Sequence, residues 1–487
     1  MSETGALADI VGAQNVLRES EVLEAYSGDE SFVHPIRPRC VVRPGTAAEV
    51  EGIVGWANET RTPLVPVSSG PPHFHGDTVP GAGGSVIVDL SGMRRIIRVD
   101  RRNRVAMVEP GVAFGELIPE LEAEGLAPLM PLLPRKTKSV VTSFLERTPI
   151  TAPRFHWEPQ DPLLCVEVVY GSGDLLRTGS AAGPGSLEEQ WAAGRAQIRG
   201  MGPSQVDFTR LLQGAQGTMG IVTWATVRCR PLPSVEKTFL VSCDDVGPLI
   251  ELAYAITYKK LGEELLILND VDLASILGQD AADRERLRTA LPPWVLVLRI
   301  DGAGLLPDAK VAYQEAESIE LAQSCGLELE TAIAGGSAKR ISRLLSQPSA
   351  EPYWKLRCRG ARGDIFFVTT LDRAPGFIET VYALAGECRQ AVEDIGIYIQ
   401  PTAQGTSCHL EFGLNHRPQV RADVARVERF LDEASEVLAN RGAFFSRPYG
   451  SWARIACSRD AQTLIGHRRL KDIFDPNGIM NPGKLLY

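Results

Sequence analysis

In Thr62-Pro-Leu-Val-Pro-Val-Ser-Ser-Gly-Pro-Pro-His-Phe-His-Gly-Asp77 a short apolar run gives way abruptly to a loop of serine, glycine, proline and histidine. Thr62 to Val67, a short apolar run with β-branched residues, predicts a strand. Small residues at Ser68, Ser69, Gly70 and Gly76 leave the following backbone bare, so its N–H groups can approach an anion closely. Upstream, Thr46-Ala-Ala-Glu49 is a capping-box pattern, and Val50, Ile53, Val54 and Trp56 then supply one apolar face of a helix over 46–61. Downstream, Ser85-Val-Ile-Val-Asp-Leu90 predicts the next strand. The local order is helix, strand, loop, strand.

A further strand, Val105–Glu109, ends at Pro110-Gly111, and an amphipathic helix over 114–124 is stopped by Gly125. A second lobe follows: a strand at Leu164–Tyr170, a Gly171-Ser-Gly-Asp174 turn, a strand through Thr178 and a helix opened by Ser186-Leu-Glu-Glu189. A second glycine-rich run, Gln213-Gly-Ala-Gln-Gly-Thr-Met-Gly220, leads into the alternating strand Ile221–Arg228. From about 236 to 440 strands and longer helices alternate, including strands at Phe239–Ser242, Trp294–Ile300 and Phe366–Thr370. The fold class is α+β. We expect domains at 1–235 and 236–440, with 441–487 packing back on the first.

Several classes of function are disfavoured at once. A chain of 487 residues with formal charge −9 lacks the basic footprint of a nucleic-acid binder. Nine cysteines are scattered without a Cys-x-x-Cys pair, so no metal or iron–sulfur site is expected. No apolar stretch reaches the roughly 20 residues of a membrane span, and the N-terminal residues lack the pattern of a secretory leader, so a cytoplasmic protein is expected. Neither glycine-rich run matches G-x-G-x-x-G or the P-loop.

In their order, these stretches resemble the superfamily of vanillyl alcohol oxidase and p-cresol methylhydroxylase. The likeness rests on Pro66-Val-Ser-Ser-Gly70 with Gly76, Gly84–Leu90, Val108-Glu-Pro-Gly-Val112, Ser139-Val-Val-Thr-Ser-Phe-Leu-Glu-Arg147, Glu167–Val169, Gly173–Gly179, Gly202-Pro203, Gly217–Thr223 and Asp475–Lys484. The resemblance implies one FAD, bound between the two lobes of the first domain, with an α+β cap built on an antiparallel sheet above the flavin. It implies dehydrogenation of a small alcohol, a para-substituted phenol or aromatic alcohol being favoured over a 2-hydroxy acid. It further implies a homo-oligomer and an electron acceptor that is oxygen, a quinone or a partner protein. A flavin-altered, non-catalytic subunit of a larger redox complex is the competing class.

The residues expected at the cofactor are Pro66, Ser68, Ser69, Gly70, His73, His75, Gly76, Pro110, Gly111, Ser139, Thr142, Ser143, Glu146, Gly217, Gly220, Ile221, Val222, Asn481 and Lys484. His73 and His75 are candidates either for covalent flavin attachment or for lining the site, and His409, His416, His467 and Cys457 are the cap-side alternatives. For catalysis, His156, Glu158 and Asp161 are candidate acid or base groups, because a suitably tuned titratable group serves proton abstraction. Arg447 and Tyr449 are substrate-binding candidates, with Tyr398 and His409 as a second set. Arg357, Arg359 and Arg362 either bind a carboxylate or phosphate or are solvated.

The chain departs from the family at Pro134-Arg-Lys-Thr-Lys-Ser139, where a glycine-rich turn is usual. Arg135, Lys136 and Lys138 then strengthen phosphate binding, mark a rebuilt or lost cofactor pocket, or form a solvated patch.

Overall fold

The computed structural model describes residues 3–154, 161–203, 206–457 and 459–485. The helix Ala47–Thr60 begins where the Thr46 hydroxyl accepts a hydrogen bond from the Glu49 amide at 3.2 Å. Glu49 reaches one residue beyond the reciprocal box, accepting from the Gly45 amide at 2.6 Å. The helix buries Val50, Ile53, Val54 and Trp56 against a four-stranded sheet ordered Val16–Leu17, Cys40–Val42, Val86–Asp89, Leu64–Val67. The last three strands run parallel, with Leu64 beside Val86 and Val67 beside Asp89.

A second sheet of six antiparallel strands is centred on the long strand Gly220–Pro231, which pairs with Val105–Val108 on one side and Leu163–Tyr170 on the other. Leu163–Tyr170 is buried along its whole length, as a central strand covered on both faces requires. Facing helices supply Phe114, Leu117, Leu121, Val140 and Phe144 to its core.

The third sheet is ordered Val235–Cys243, Trp294–Gly302, Glu264–Asn269, Ile395–Thr402, Ser407–His416, Ala361–Thr369, and every pairing in it is antiparallel. The helices Val246–Tyr258, Ala374–Glu387 and Arg421–Asn440 contribute to the large core on one of its faces.

The segment after the helix Ala461–Phe474 returns to the first sheet. The Leu64 amide donates to the Ile479 carbonyl at 2.7 Å, and the Asn481 amide donates to the Leu64 carbonyl at 2.8 Å. Asp475 holds this turn by accepting from the amides of Ile479 and Met480, while pairing with buried Lys471 at 2.5 Å. No described helix is long and apolar enough to cross a membrane.

Candidate active site

Two adjoining cavities, each of about 850 Å³, share His73, Asp77 and Glu146. The first runs between the parallel sheet and the second sheet. Its walls include Pro66, Ser68, Ser69, Pro110, Thr142, Gly217, Gly220, Ile221 and Val222. Close backbone packing shapes it: Gly217 has φ +70°, and a Cβ there would lie 2.5 Å from the Pro66 ring. Ser139 caps the short helix Val140–Leu145 by accepting from the Thr142 amide at 3.1 Å, and its own amide donates to the Ser69 hydroxyl at 3.0 Å. One residue thereby joins the 68–70 loop to the helix.

The second cavity lies against the third sheet, whose register explains its wall. Tyr398 stands opposite Glu411, and Glu411 opposite Phe366; one step along, Gln400 stands opposite His409 and His409 opposite Val368. Side chains two apart on a strand share a face, so Asp364, Phe366, Tyr398 and Glu411 line one surface. Phe74, Tyr353 and Trp354 complete an aromatic enclosure.

Four cations and four carboxyl groups line this cavity. Lys355 pairs with Asp364 at 2.7 Å and Glu411 at 2.5 Å. Behind them, fully buried Arg362 binds Asp272, Asp364 and Glu411. Lys138 pairs with Glu146 at 2.5 Å. Burial opposes the Glu146 charge, but Lys138, His75 and Arg135 outweigh it and hold the carboxyl below its usual value. For Asp77, burial and Glu146 outweigh the opposing pull of Lys138 and push it up to about 7.

Arg447 is buried and has no carboxylate partner among the described residues. Its guanidinium lies 4.1 Å from the Phe366 ring centroid and reaches His409 Nδ1 at 3.3 Å. An arginine only donates, so His409 Nδ1 accepts, and Nε2 carries the proton toward Glu411 Oε2 at 3.3 Å. Burial keeps this histidine neutral, with its pKa pushed down to about 4. Three buried polar atoms on the cavity walls, His73 Nε2, Ser143 Oγ and Trp354 Nε1, have no hydrogen-bond partner among the described residues. Such atoms fit a bound polar group.

Comparison with known proteins accounts for this arrangement. Residues 38–179 match the family described as FAD binding domain, and residues 453–485 match the C-terminal domain of FAD linked oxidases. The whole chain superposes on the crystal structure of p-cresol methylhydroxylase with a TM-score of 0.84, covering 99% of this chain and 96% of that one. The chain carries the FAD binding domain and the C-terminal domain of FAD linked oxidases, and its fold is similar to that of p-cresol methylhydroxylase.

The structural likeness, at 20% identity, speaks for the fold alone. Among curated relatives, the chain is 29% identical to the glycolate oxidase subunit GlcD of Bacillus subtilis over 255 residues, 52% of this chain and 50% of that protein. It is also 29% identical over 280 residues to the flavoprotein subunit of 4-cresol dehydrogenase from Pseudomonas putida, 55% of this chain and 50% of that one. Each alignment spans about half the length of the relative. The cofactor is FAD, and the lined channel, the close-packed Gly217 and the unpartnered polar atoms fit it.

Most residues expected at the cofactor come together at the two cavities. Ser143 lies on the wall of the second cavity, Arg447 lines that cavity, and Tyr449 lines the first, its ring stacked on His75 at 4.5 Å. Others sit behind the walls. Gly76 ties the loop to Asp29 through its amide at 2.7 Å, and Gly111 packs against the carbonyls of Leu90, Ser91 and Met93. Asn481 binds the carbonyls of Asp77 and Gln216, Gly70 accepts from Arg135, and Lys484 is buried outside both linings. His409 stands behind Arg447 with both ring nitrogens engaged.

His156 and Glu158 fall outside the described residues. Asp161 lies away from both cavities, bonded to the Leu163 amide and to Gln213. A solvated patch at 134–139 is corrected in two of its three members: Arg135 and Lys138 are buried and line the second cavity, while Lys136 is exposed. Arg357 and Arg359 are spent on protein carbonyls and Asp394, and Arg362 on carboxylates, and none lines either of the two cavities.

Sequence reasoning missed Asp77, Tyr353, Trp354, Lys355, Asp364 and Phe366. A signal existed for part of this set. Polar or charged residues two apart inside otherwise apolar strands, as in Arg362-Gly-Asp364 and His409-Leu-Glu411, mark a strand face turned toward a polar cavity rather than toward a core.

Proposed function

We propose that this FAD-linked oxidoreductase dehydrogenates a small aromatic substrate, a para-substituted phenol or benzylic alcohol, held in the second cavity. The observation that carries the reading is Arg447: a buried guanidinium without a carboxylate partner, set over Phe366 in an enclosure of Phe74, Tyr353, Trp354 and Tyr398. An aromatic ring fits such walls edge-to-face or stacked, and an anionic oxygen on that ring satisfies the arginine.

FAD supplies the two-electron acceptor that takes hydride from the substrate carbon. Arg447 favours ionisation of a phenol bound beside it, which enriches the ring in electrons. Glu146, where the two cavities meet, is the carboxylate we assign to proton transfer, in place of the 156–161 segment. Tyr398, held protonated by burial and by Glu411, donates its hydroxyl hydrogen to Gln400 at 2.7 Å and keeps the wall fixed. The altered turn at 134–139 contributes to the substrate side rather than to the nucleotide channel, which removes the reason to read it as a sign of lost FAD.

We assign residues 1–235 to the FAD-binding domain, 236–440 to the cap and 441–487 to a returning segment. The second substrate reading, a 2-hydroxy acid, is favoured by the same Arg447, since a carboxylate suits a guanidinium equally well. Anaerobic titration of the visible flavin absorbance separates the two. Bleaching by 4-ethylphenol or 4-hydroxybenzyl alcohol supports the phenol reading. Bleaching by glycolate or lactate alone overturns it in favour of the hydroxy acid.

A further inference from the structure

The four cations of the second cavity divide into two kinds. Lys138 and Lys355 are neutralised by carboxylates within 2.7 Å. Arg447 and Arg135 are not. Arg135 is 6% exposed, a permanently charged group taken out of water. It donates to the Gly70 carbonyl at 2.6 Å and lies 5.7 Å from the Phe74 ring centroid, and the rest of its fork has no protein acceptor among the described residues.

The two guanidiniums occupy different walls. Arg447 comes from the loop after the helix Arg421–Asn440 and packs on the third sheet at Phe366 and His409, whereas Arg135 comes from the turn after Leu133 and sits on the 70–75 loop. Both interact electrostatically with Glu146, and neither figures among the charges that act on the other. Glu146 lines the same cavity as both of them. A simple alkylphenol or a short hydroxy acid presents one anionic end. It satisfies one arginine and leaves the other desolvated.

We infer that the substrate carries a second anionic group, and that Arg135 binds it: an aromatic ring with a phenol oxygen at Arg447 and a carboxylate-bearing para side chain reaching Arg135. The side-chain carbon next to the ring then lies between the two anchors, on the Glu146 side. This inference rests on the phenol reading given above and adds to it the acid group and the residue that selects for it. A bidentate, charge-assisted pair in a dry site contributes enough to discriminate an acid from its ester by about 10- to 100-fold.

The test compares 3-(4-hydroxyphenyl)propanoate with its methyl ester in anaerobic flavin bleaching, using the holoenzyme, Arg135→Leu and Arg135→Lys. The wild type is expected to half-saturate with the acid at a concentration about 10- to 100-fold lower than with the ester. Arg135→Leu brings that ratio close to one, and Arg135→Lys, which keeps a charge without the fork, gives an intermediate ratio. Equal response of the wild type to acid and ester overturns the inference and leaves the phenol reading standing. Loss of bound FAD from both variants also overturns it, because Arg135 would then serve the cofactor. If no para-substituted phenol bleaches the flavin, the phenol reading fails first and this inference falls with it.

Discussion

At the level of single residues, the site is organised by which charges already have partners. Arg447 is oriented by His409, whose Nδ1 accepts from it, and His409 is held by Glu411. Replacing Arg447 by lysine keeps a cation but removes the planar fork, so we expect KM for a phenolic substrate to rise about 10-fold or more while FAD stays bound. Steady-state kinetics together with the ratio of flavin to protein absorbance check this. Glu146 presents a different balance, because removing its charge strands Lys138. Glu146→Gln is expected to cost about 3–5 kcal/mol of stability, as for one half of a buried ion pair, and to abolish most turnover. Adding Lys138→Met restores stability in urea unfolding without restoring turnover. Recovery of both together would show that Glu146 acts only through folding.

Elements place these residues, and some of that placement was legible in the sequence. The helix over 47–60, the strands at 64–67, 86–89 and 163–170 and the capped helix Leu187–Ala192 follow from periodicity and caps, because each depends on neighbours a few residues away. Ser139 belongs to the same class: its capping role is local, and Ser139→Ala should cost about 1 kcal/mol in denaturant unfolding while its main-chain amide keeps the bond to Ser69. The cap wall was only half legible. The alternation His409-Leu-Glu411 shows which side chains share a face, but not that Glu411 lies between Tyr398 and Phe366, since cross-strand register joins residues far apart in the chain. The turn at 134–139 misled for a physical reason. A short basic run is ordinarily solvated, and only tertiary packing against Phe74 and Glu146 buries Arg135 and Lys138.

The molecule as a whole couples its stability to the site. His409 is neutral when folded, with its pKa pushed down to about 4 by burial, and takes up a proton near pH 6.5 once unfolded. A depressed folded pKa means that its contribution is fully present above pH 6.5 and is lost as pH falls toward 4. His409→Asn should therefore reduce the slope of stability against pH in that window by about 1.4 kcal/mol per pH unit, measured by chemical denaturation at several pH values. The returning C-terminal segment makes a second whole-molecule connection. Asp475→Ala removes the carboxylate from buried Lys471 and frees the 479–480 amides, so we expect both a loss of about 3–5 kcal/mol and release of FAD, read by urea unfolding and by the flavin absorbance after gel filtration. That same segment also sets an order of events in the cell. Asn481 binds the carbonyl of Gln216, 265 residues earlier in the chain. At translation rates of about 5–20 residues per second, the two ends of that contact are made on the order of tens of seconds apart. A nascent chain can therefore build both nucleotide lobes before the strut that braces them at Asp77 and Gln216 has been made.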